Sequence, residues 1–447
     1  MSENKKILMV SLGCDKNLVD SEKMLGLLSD HGYDFTDDEN EADAVIVNTC
    51  CFINDAKQES IDNLLQMAEL KKQGKIKAII ATGCLAERYR EEIQKEIPEV
   101  DEIIGTTAID KIAVSLDEIF KGNKENHYSG LDSLPLSNGR RIVTTGGHFA
   151  YLKIAEGCDK RCSYCIIPKI RGGYRSVPEE NLIEEAKKLA EDGVKELILV
   201  AQETTVYGTD LYGHKCLSGL LHKLCRIDGL RWIRILYCYP EEIDDELIDT
   251  IASEPKICHY LDLPIQHASD RILKSMGRRT SKADLILIIK KLRKKIPDIC
   301  LRTTLITGFP GETEAEHEEL MNFVRDERFD RLGVFTYSRE EDTPAATMPD
   351  QIDQDIMDTW RDELMALQQE ISIDKSAQMV GKTIDVMVEG YIAEDNTYVG
   401  RSYKDAPNVD GMVFFECDRE LMSGDFVSVK ITGSTEYDLM GIMEENV

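Results

Sequence analysis

The stretch EGCDKRCSYCIIP spans residues 156–168 and holds three cysteines in a C-x3-C-x2-C spacing. The apolar run FAYLKIA (149–155) precedes it and predicts a β-strand, so the three thiols lie on a loop beyond that strand. Thiolates are soft ligands that select zinc, copper(I) or iron–sulfur clusters. Structural zinc is nearly always four-coordinate, and no Cys or His follows at close spacing to complete such a site. We therefore predict an iron–sulfur cluster on Cys158, Cys162 and Cys165, with one iron free of protein ligands.

Five more strand-like runs follow, separated by helical patterns. These runs are ELILVA (196–201), WIRILYC (232–238), YLDLPIQ (260–266), CLRTTLIT (300–307) and RLGVFTYS (331–338). Strands that alternate with helices form βαβ units and a parallel sheet. Six repeats are too many for a simple open sheet and too few for an eight-stranded barrel. We predict a partial (βα)6 barrel over residues 148–375, with its site at the carboxyl ends of the strands.

Residues 1–125 show a second strand–helix alternation and predict a separate α/β domain with a parallel sheet. Its strand candidates are ILMVSLGC (7–14), AVIVNTC (44–50) and KAIIATGC (77–84). Each run ends in a cysteine, and the carboxyl ends of parallel strands meet at one edge of a sheet. We therefore predict an auxiliary cluster on Cys14, Cys50 and Cys84, again with an open iron, the alternative being three separately buried thiols. Cys51 adjoins Cys50 and is the other candidate for the second ligand, although the strand-end position favours Cys50.

Two further segments complete the chain. Residues 126–147 are polar, rich in Gly, Ser and Asn, and predict a linker. Residues 376–447 change to an alternation with period two. The strand candidates there are TIDVMVE (383–389), TYVGRSY (397–403), GMVFFEC (411–417), DFVSVKITG (425–433) and YDLMGIM (437–443). Five short strands separated by Gly, Asn and Asp predict a small closed β-barrel, a type that often docks a macromolecule.

The charge balance restricts the possible partners. The chain has 54 Lys and Arg against 83 Asp and Glu, which gives a formal net charge of −29. Nucleic-acid affinity depends on Lys and Arg at phosphates, so broad phosphate neutralisation is excluded as the main binding mode. The terminal segment alone has five Lys or Arg against fourteen Asp or Glu. Such a segment is poorly suited to direct binding of transfer RNA and fits a basic protein.

The location of the protein is predicted from its apolar runs and its thiols. No run approaches the ~18 apolar residues that a membrane span needs. The short apolar stretch ILMVSLG (7–13) is followed by Cys14 and charged residues, unlike a signal peptide. We expect a cytoplasmic protein without a membrane partner, in which the thirteen cysteines stay reduced.

The cysteine loop after the first strand of a six-fold βα repeat resembles the radical S-adenosylmethionine (SAM) superfamily, and the whole chain resembles the methylthiotransferases. The first domain carries this resemblance in SLGCDKNLVDSE (11–22), VNTCCFI (47–53) and ATGCLAERY (81–89). The second carries it in EGCDKRCSYCIIP (156–168), LDLPIQH (261–267), LRTTLITGFPGETE (301–314) and YSREEDTPA (337–345). The last domain resembles a TRAM barrel, and its DAPNVDG (405–411) is similar to the ribosomal-protein branch. Asp15 in place of Pro and Cys51 in place of Gly depart from that branch.

This resemblance implies two 4Fe–4S clusters and two equivalents of SAM per turnover. In the superfamily, the open iron binds the methionyl amine and carboxylate, and one electron from the cluster cleaves the sulfonium to release a 5′-deoxyadenosyl radical. In the methylthiotransferases, one SAM methylates a sulfide on the first-domain cluster. The radical from a second SAM removes a hydrogen from the substrate, and the carbon radical then collects the methylthio group.

Candidate contacts to SAM lie on the predicted strand ends. By resemblance, Gly308 and Glu312 contact the adenine part, the alternative being an ordinary strand-to-helix turn. Gln202 and Thr204 end the second strand at the barrel mouth and are candidates for holding the methionyl group or the substrate. Tyr164 precedes the third cysteine of the loop and is a further candidate.

Three other residues on the fourth and fifth strands complete the candidate site. Arg302 is predicted to be an inward charge near a carboxylate and is included among the SAM contacts. Gln266 and His267 end the fourth strand and are candidates for substrate contact. A buried structural role is the alternative for His267.

The resemblance implies methylthiolation of the β-carbon of an aspartate in small-subunit ribosomal protein twelve. The partners implied are this basic ribosomal protein, a low-potential electron donor such as flavodoxin or ferredoxin, and a sulfur source. One alternative is methylthiolation of an adenosine in transfer RNA by the same chemistry. A second alternative, from another class, is a non-catalytic iron–sulfur carrier or metal-binding protein.

Overall fold

A computed structural model describes residues 5–133 and 139–444 of the chain. Along the chain it contains a five-stranded sheet, a six-stranded sheet with a separate two-stranded ribbon, and a closed barrel of five strands. The predicted fold class is confirmed: a parallel-sheet domain, a partial (βα)6 barrel and a small all-β barrel follow one another. Within the described residues, no helix combines the length and the apolar character needed to cross a membrane.

The first domain is a parallel sheet with strand order β2-β1-β3-β4-β5. Its strands are β1 (Lys6–Ser11), β2 (Asp34–Phe35), β3 (Ala44–Thr49), β4 (Ala78–Thr82) and β5 (Glu102–Ile104). Its helices are α1 (Asp15–Asp30), α2 (Asn54–Lys72), α3 (Gly83–Tyr89), α4 (Glu91–Glu96) and α5 (Ile112–Phe120), with a 3-10 turn at Ile109–Lys111. Every residue of the central strands β3 and β4 is buried, as expected for a parallel sheet covered on both faces.

The second domain has six parallel strands in sequential order, β13-β12-β11-β10-β9-β6. These strands are β6 (Phe149–Lys153), β9 (Glu196–Val200), β10 (Trp232–Ile235), β11 (Ile257–Gln266), β12 (Cys300–Thr307) and β13 (Arg331–Thr336). The antiparallel ribbon consists of β7 (Ala155–Glu156) and β8 (Arg175–Ser176). All six predicted strands of this segment are therefore present.

The helices of the second domain connect its strands. They are α6 (Ile167–Ile170), α7 (Glu179–Glu191), α8 (Thr209–Tyr212), α9 (Leu217–Cys225), α10 (Asp245–Ser253), α11 (Asp270–Ser275), α12 (Lys282–Lys295), α13 (Glu314–Glu327) and α14 (Gln354–Ala377). Two 3-10 turns lie at Pro240–Glu242 and Pro344–Thr347. The last of these helices, α14, leads into the terminal barrel.

The terminal barrel closes in the order β14-β15-β16-β18-β17. Its strands are β14 (Thr383–Ile392), β15 (Thr397–Ser402), β16 (Val413–Glu416), β17 (Phe426–Ser434) and β18 (Leu439–Met443). Alternate residues such as Val427, Val429 and Ile431 point into a separate apolar core. Closure pairs both edges of every strand, which removes the exposed sheet edges that promote aggregation.

The predicted linker, 126–147, packs against both flanking domains. His127 pairs with Ile104 and extends the edge of the first sheet. The guanidinium of Arg141 contacts carboxylates of both Glu22 on α1 and Glu185 on α7. Residues 134–138 of this prediction lie outside the described residues. The domain boundaries themselves stay a prediction.

The inside of the open barrel is filled by its two neighbouring domains. One apolar cluster combines barrel residues such as Tyr151 and Ile198 with Val19 from α1 and with Met387 and Ala406 from the terminal barrel. All five side chains are buried. The three domains therefore share this cluster in addition to their own cores, and the terminal barrel is an integral part of the (βα)6 domain's packing.

A buried ion network joins the terminal barrel to the second domain. Glu196 is fully buried and lies 2.7 Å from both the Nε of Arg234 and the Nη2 of Arg401. Arg401 also lies 2.6 Å from Glu389. Burial alone would raise the pKa of Glu196, but the two guanidinium groups outweigh it and lower this pKa. The charges at this interface therefore depend on one another across the domain boundary.

We predict that Arg401→Met destabilises the protein by about 3–5 kcal/mol, because it leaves Glu196 and Glu389 without a shared cation in a buried site. The measurement is the midpoint of thermal unfolding by calorimetry. The control is Arg361→Met, which removes an exposed guanidinium that pairs with Asp358 and Asp362. Equal midpoints for the two variants would contradict the prediction.

Candidate functional site

Three loops at one edge of the first sheet carry Cys14, Cys50 and Cys84. Cys14 is the N-cap residue of α1, Cys50 directly follows β3, and Cys84 is the second residue of α3. The strands are parallel, so all three loops leave the same edge. Gly13 has a φ of +86°, and a Cβ there would lie 2.7 Å from the Cβ and 2.8 Å from the Sγ of Cys50. The loop that carries Cys14 therefore packs directly on Cys50.

The buried side chain of Asn17 holds these loops together, although the sequence patterns did not single it out. Its Nδ2 donates to the carbonyl oxygens of Leu12 (3.0 Å) and Thr49 (2.9 Å). Its Oδ1 lies 3.9 Å from the Sγ of Cys84. One amide thus contacts the loops after β1, β3 and β4. The sequence signal for this role is a polar residue in the first turn of α1, three residues after Cys14.

Gly83 is the position where the third loop requires glycine. Its φ is +88°, and a Cβ there would lie 2.3 Å from Asn48 Oδ1 and 2.4 Å from the carbonyl oxygen of Thr49. Gly83 also pairs with Thr49 in an isolated parallel bridge. This close approach places the next residue, Cys84, beside the end of β3.

The chemistry of the three thiols fits a cationic metal cluster. Burial raises the pKa of the Cys50 thiol to about 12, and the thiols of Cys84 and Cys14 add to the rise. Burial also raises the pKa of Cys84, against the lowering effect of Arg171. Cys50 and Cys84 are buried and Cys14 is half-buried, so the two buried thiols need a strong positive charge to become thiolates, and iron supplies one.

A site for a single metal ion is the other possibility, and the arrangement of the side chains tests it. Among residues 5–133 and 139–444, no group of three or more His, Cys, Asp or Glu side chains is arranged to hold one metal ion. In a cubane cluster each thiolate binds a different iron, so its ligands do not share one coordination sphere. Within those ranges Cys14, Cys50 and Cys84 form no such single-ion site, and a cubane cluster on them stays a prediction.

Cys51 has different surroundings from Cys50. It is fully buried in the apolar core of the first domain, where it packs in the same cluster as Val45 and Met67. Burial raises the pKa of its thiol, and Cys84 adds to the rise. The turn at Gly13 packs against Cys50 rather than against Cys51.

The second cysteine loop lies between the two strands of the ribbon, β7 and β8. The Sγ of Cys158 accepts a hydrogen bond from the N–H of Lys160 at 3.5 Å. The N–H of Cys165 donates to the carbonyl of Cys162 at 3.0 Å, and the Sγ of Cys162 lies 3.8 Å from the hydroxyl of Tyr239. Burial raises the pKa of Cys158 to about 11, and it raises the pKa of Cys165 further, with a contribution from Cys162. This loop therefore also gathers thiols that suit a metal cluster, two of them buried and Cys165 half-buried.

A cavity of about 290 Å³ opens beside this loop and is lined by Cys158, Lys160, Glu203 and Asp210, among others. Burial raises the pKa of Glu203 to about 7, although the hydroxyl of Thr205 opposes the rise. Within the described chain, the Oε2 of Glu203 has no hydrogen-bond partner. The cavity thus places Glu203, whose Oε2 lies 3.7 Å from the Nζ of Lys160, next to a predicted cluster ligand.

The candidates for SAM contact near the barrel mouth differ in how many protein partners they have. Gln202 donates from Nε2 to Glu156 (2.9 Å), while its buried Oε1 has no partner in the described chain. The hydroxyl of Thr204 donates to the carbonyl of Leu236 at 2.8 Å, which links the ends of β9 and β10. Tyr164 is half-buried beside an apolar cluster that includes Phe309. Gln202 keeps a free acceptor, whereas the Thr204 hydroxyl already bonds protein. The SAM contacts themselves stay predictions.

Arg302 lies in an ion network at the junction with the terminal barrel. Its Nη1 is 2.8 Å from Asp262, and its Nε is 3.7 Å from Asp410 of the terminal barrel. These protein partners account for the burial of its charge. These ion pairs do not depend on SAM, and the contact between Arg302 and SAM stays a prediction.

Glu312 and His267 form the framework of the loop after β12. The Oε2 of Glu312 accepts from the N–H of Gly308 at 2.6 Å, and its Oε1 lies 3.1 Å from the Nε2 of His267. The Nδ1 of His267 accepts from the N–H of Ser269 (2.9 Å), so Nε2 carries the proton that faces Glu312. Both side chains are buried and bonded to protein, and Gln266 is half-buried with a φ of +74°. Their roles toward SAM or substrate stay predictions.

A buried network of charges lies between the two cysteine sites, and the sequence patterns missed it. Arg171 and Lys153 come from the second domain, and Asp20 comes from α1 of the first. Arg171 Nη1 lies 2.8 Å from Asp20 and 3.1 Å from Glu156, and Lys153 contacts both carboxylates. The sequence signal is that Asp20 and Glu156 occur within the cysteine motifs themselves.

Comparison with known families gives each segment a match. Residues 6–105 match the Uncharacterized protein family UPF0004, residues 152–324 match the Radical SAM superfamily, and residues 380–443 match the TRAM domain. Among solved structures, a radical S-adenosylmethionine methyltransferase, TsrM, from Kitasatospora setae superposes with a TM-score of 0.57 at 14% identity, covering 76% of this chain and 77% of that chain. That similarity shows the fold alone. The fold and the cysteine loop thus define a radical SAM protein with an additional cysteine-bearing domain.

Curated relatives make the family more specific. The chain is 61% identical to the "Ribosomal protein uS12 methylthiotransferase RimO" of Lachnoclostridium phytofermentans, over 98% of this chain and all of that protein. It is 52% identical to the protein of the same name from Clostridioides difficile and 49% identical to that from Clostridium botulinum, each over at least 98% of both chains. The chain belongs to the RimO family of methylthiotransferases.

We predict that Gly83→Ala lowers the iron content of anaerobically reconstituted protein by about half, because the new Cβ displaces the loop that carries Cys84. The control is Gly74→Ala. Gly74 also has a positive φ, +75°, but a Cβ there meets nothing within 4 Å. In both variants alanine must adopt the left-handed backbone conformation, which costs about 1–2 kcal/mol. The two variants therefore differ only in the steric clash of the new Cβ. Equal iron content in the two variants would contradict the prediction.

Proposed function

We propose that this protein places a methylthio group on the β-carbon of an aspartate in ribosomal protein uS12, by radical SAM chemistry. The observation that carries the proposal is that the chain has two three-cysteine sites, one at the strand ends of each parallel sheet. Arg171 lies between these sites and contacts both domains. A carrier protein needs one such site, whereas sulfur insertion needs separate places for radical generation and for the group transferred. The names of relatives at 49–61% identity support the same substrate.

Two 4Fe–4S clusters and SAM are the cofactors of this proposal. Cys158, Cys162 and Cys165 would hold the cluster that binds and cleaves SAM, and Cys14, Cys50 and Cys84 would hold the auxiliary cluster. When bound, these groups supply the low-potential electron, the 5′-deoxyadenosyl radical and the methylated sulfur. The chain's own residues bury Cys50, Cys84, Cys158 and Cys162 and leave Cys14 and Cys165 half-buried.

The choice of Cys50 over Cys51 as the second auxiliary ligand is part of the proposal. It is supported by the contact between Gly13 and Cys50, and by the influence of both Cys14 and Cys84 on the pKa of Cys50. The full burial of Cys51 among apolar side chains supports a packing role for that residue.

The surface of the terminal barrel supports a basic protein as its docking partner. Two of its five basic residues, Arg401 and Lys404, point inward and pair with Glu196 and Asp330 of the second domain. The exposed basic residues of the described barrel are Lys382, Arg419 and Lys430. The exposed acidic ones are Asp385, Glu394, Asp395, Glu416, Asp418, Glu420, Asp425, Glu436 and Glu444. This acidic surface complements a ribosomal protein and would repel the phosphates of transfer RNA, so we propose no direct binding of transfer RNA.

The remaining partners follow from the chemistry. Reductive cleavage of SAM needs a low-potential electron donor such as flavodoxin or ferredoxin, and each turnover consumes one sulfur atom, so a sulfur source is required. Two equivalents of SAM are used, one for the methyl group and one for the radical. Acting on a ribosomal protein places the reaction in the cytoplasm.

The auxiliary ligands are tested by comparing Cys50→Ala with Cys51→Ala. We predict that Cys50→Ala loses about four of about eight irons per chain and abolishes sulfur insertion, while Cys51→Ala keeps both. Cleavage of SAM to 5′-deoxyadenosine should persist in Cys50→Ala, because the other cluster is intact. The measurements are iron analysis and chromatography of the nucleoside. Loss of iron in Cys51→Ala instead would reassign the ligand, and insertion by Cys50→Ala would refute the role of this cluster.

The substrate is tested by mass spectrometry of a deletion strain. We expect ribosomal protein uS12 to lose the mass of one methylthio group in place of hydrogen, and transfer RNA to keep its modifications. Complementation with the wild-type gene is the control. A change in transfer RNA alone would instead establish the adenosine reaction, and no 5′-deoxyadenosine from purified protein would favour a non-catalytic carrier.

A further inference from the structure

We propose that Arg171, a residue of the radical SAM domain, is a positioning residue for the auxiliary cluster, which it reaches across the domain junction to hold and polarise the sulfur of Cys84. This inference rests on the proposed function. Arg171 follows the short helix α6, only six residues after Cys165. Its side chain is 2% exposed, so the two domains enclose it together.

The guanidinium of Arg171 is fixed by partners on both domains. Its Nη2 lies 3.5 Å from the Sγ of Cys84 and also donates to the Oδ1 of Asn17. Its Nη1 donates to Asp20 at 2.8 Å and to Glu156 at 3.1 Å. Because both Nη1 and Nη2 of the planar guanidinium are hydrogen-bonded, the group cannot rotate away from the Sγ of Cys84. A lysine would offer a single ammonium on a flexible side chain.

The surrounding charges are balanced only when Arg171 is present. Two cations, Arg171 and Lys153, face two carboxylates, Asp20 and Glu156, and all four side chains are buried. Removing the guanidinium leaves one uncompensated negative charge close to Cys84. In a buried site such a charge is weakly screened and acts strongly on its neighbours.

The network extends to the other cysteine site. Gln202, at the end of β9, donates from Nε2 to the Oε1 of Glu156 at 2.9 Å. The second oxygen of Glu156 receives Arg171, which in turn contacts Cys84. The barrel mouth and the auxiliary ligand are therefore joined through two side chains, Glu156 and Arg171.

The expected consequence is electrostatic. Hydrogen bonds to ligand sulfurs and nearby positive charge stabilise the reduced, more negative form of an iron–sulfur cluster. Arg171 should therefore raise the midpoint potential of the auxiliary cluster. A role in protein packing alone would leave that potential unchanged in any variant that still binds the cluster.

The experiment measures this potential in full-length protein whose Cys158, Cys162 and Cys165 are replaced by alanine, so that only the auxiliary cluster remains. The variant is Arg171→Met, and the readout is the midpoint in a redox titration followed by electron paramagnetic resonance. The matched control is Arg88→Met. Arg88 is also a buried arginine that bridges the two domains, through Glu340, but it reaches the carbonyl of Cys51 and no proposed ligand sulfur.

We expect a more negative midpoint for Arg171→Met than for the parent, and an unchanged midpoint for Arg88→Met. Equal midpoints in the two variants would overturn the inference. If Arg171→Met binds no iron, Arg171→Gln decides, because it is polar but carries no charge: a midpoint more negative than the parent's supports the inference, and the parent's midpoint overturns it. A parent protein that binds no cluster at all would refute the proposed auxiliary site rather than the role of Arg171.

Discussion

Buried charge at the domain junction is the constraint on which the rest of this structure depends. Arg171 and Lys153 have no access to bulk water, so each must lie against a carboxylate, and one of the two carboxylates belongs to α1 of the other domain. Breaking one partner from such a group typically costs about 3–5 kcal/mol. The two domains are thus held in one relative orientation by charges as well as by apolar contacts.

That orientation decides where the chemistry is located. Parallel sheets carry their binding loops at the carboxyl ends of the strands. The first sheet presents three thiols there, and the (βα)6 domain presents three more on the loop beyond β6. Asn17 and Gly83 shape the first set, and the ribbon β7–β8 shapes the second. Besides glycines with positive φ, the loop of the second set includes Arg161, a non-glycine residue with a φ of +53°.

The sequence was sufficient for most of the fold and for part of the site. Apolar runs predicted β1, β3, β4 and all six strands of the second sheet, and a period-two alternation predicted all five strands of the terminal barrel. The sequence patterns missed β2, β5 and the ribbon strands β7 and β8, which have two or three residues each and too few positions to show a period. The cysteine sites follow from spacing and strand ends. The Arg171 network depends on how two domains dock, and local patterns carry no information about such long-range pairs. For the same reason the candidates Thr204, Arg302 and His267 have protein partners that the sequence could not reveal.

The shared core under the (βα)6 sheet has a practical meaning for deletion studies. Met387 and Ala406 occupy the interior of that domain, and Arg401 neutralises its buried Glu196. A truncated chain ending near residue 380 would expose apolar side chains of the barrel interior to water and would leave Arg234 as the cation paired with Glu196. Inactivity of such a fragment would report collapse of the catalytic half, and it would carry no information about recognition of the ribosome.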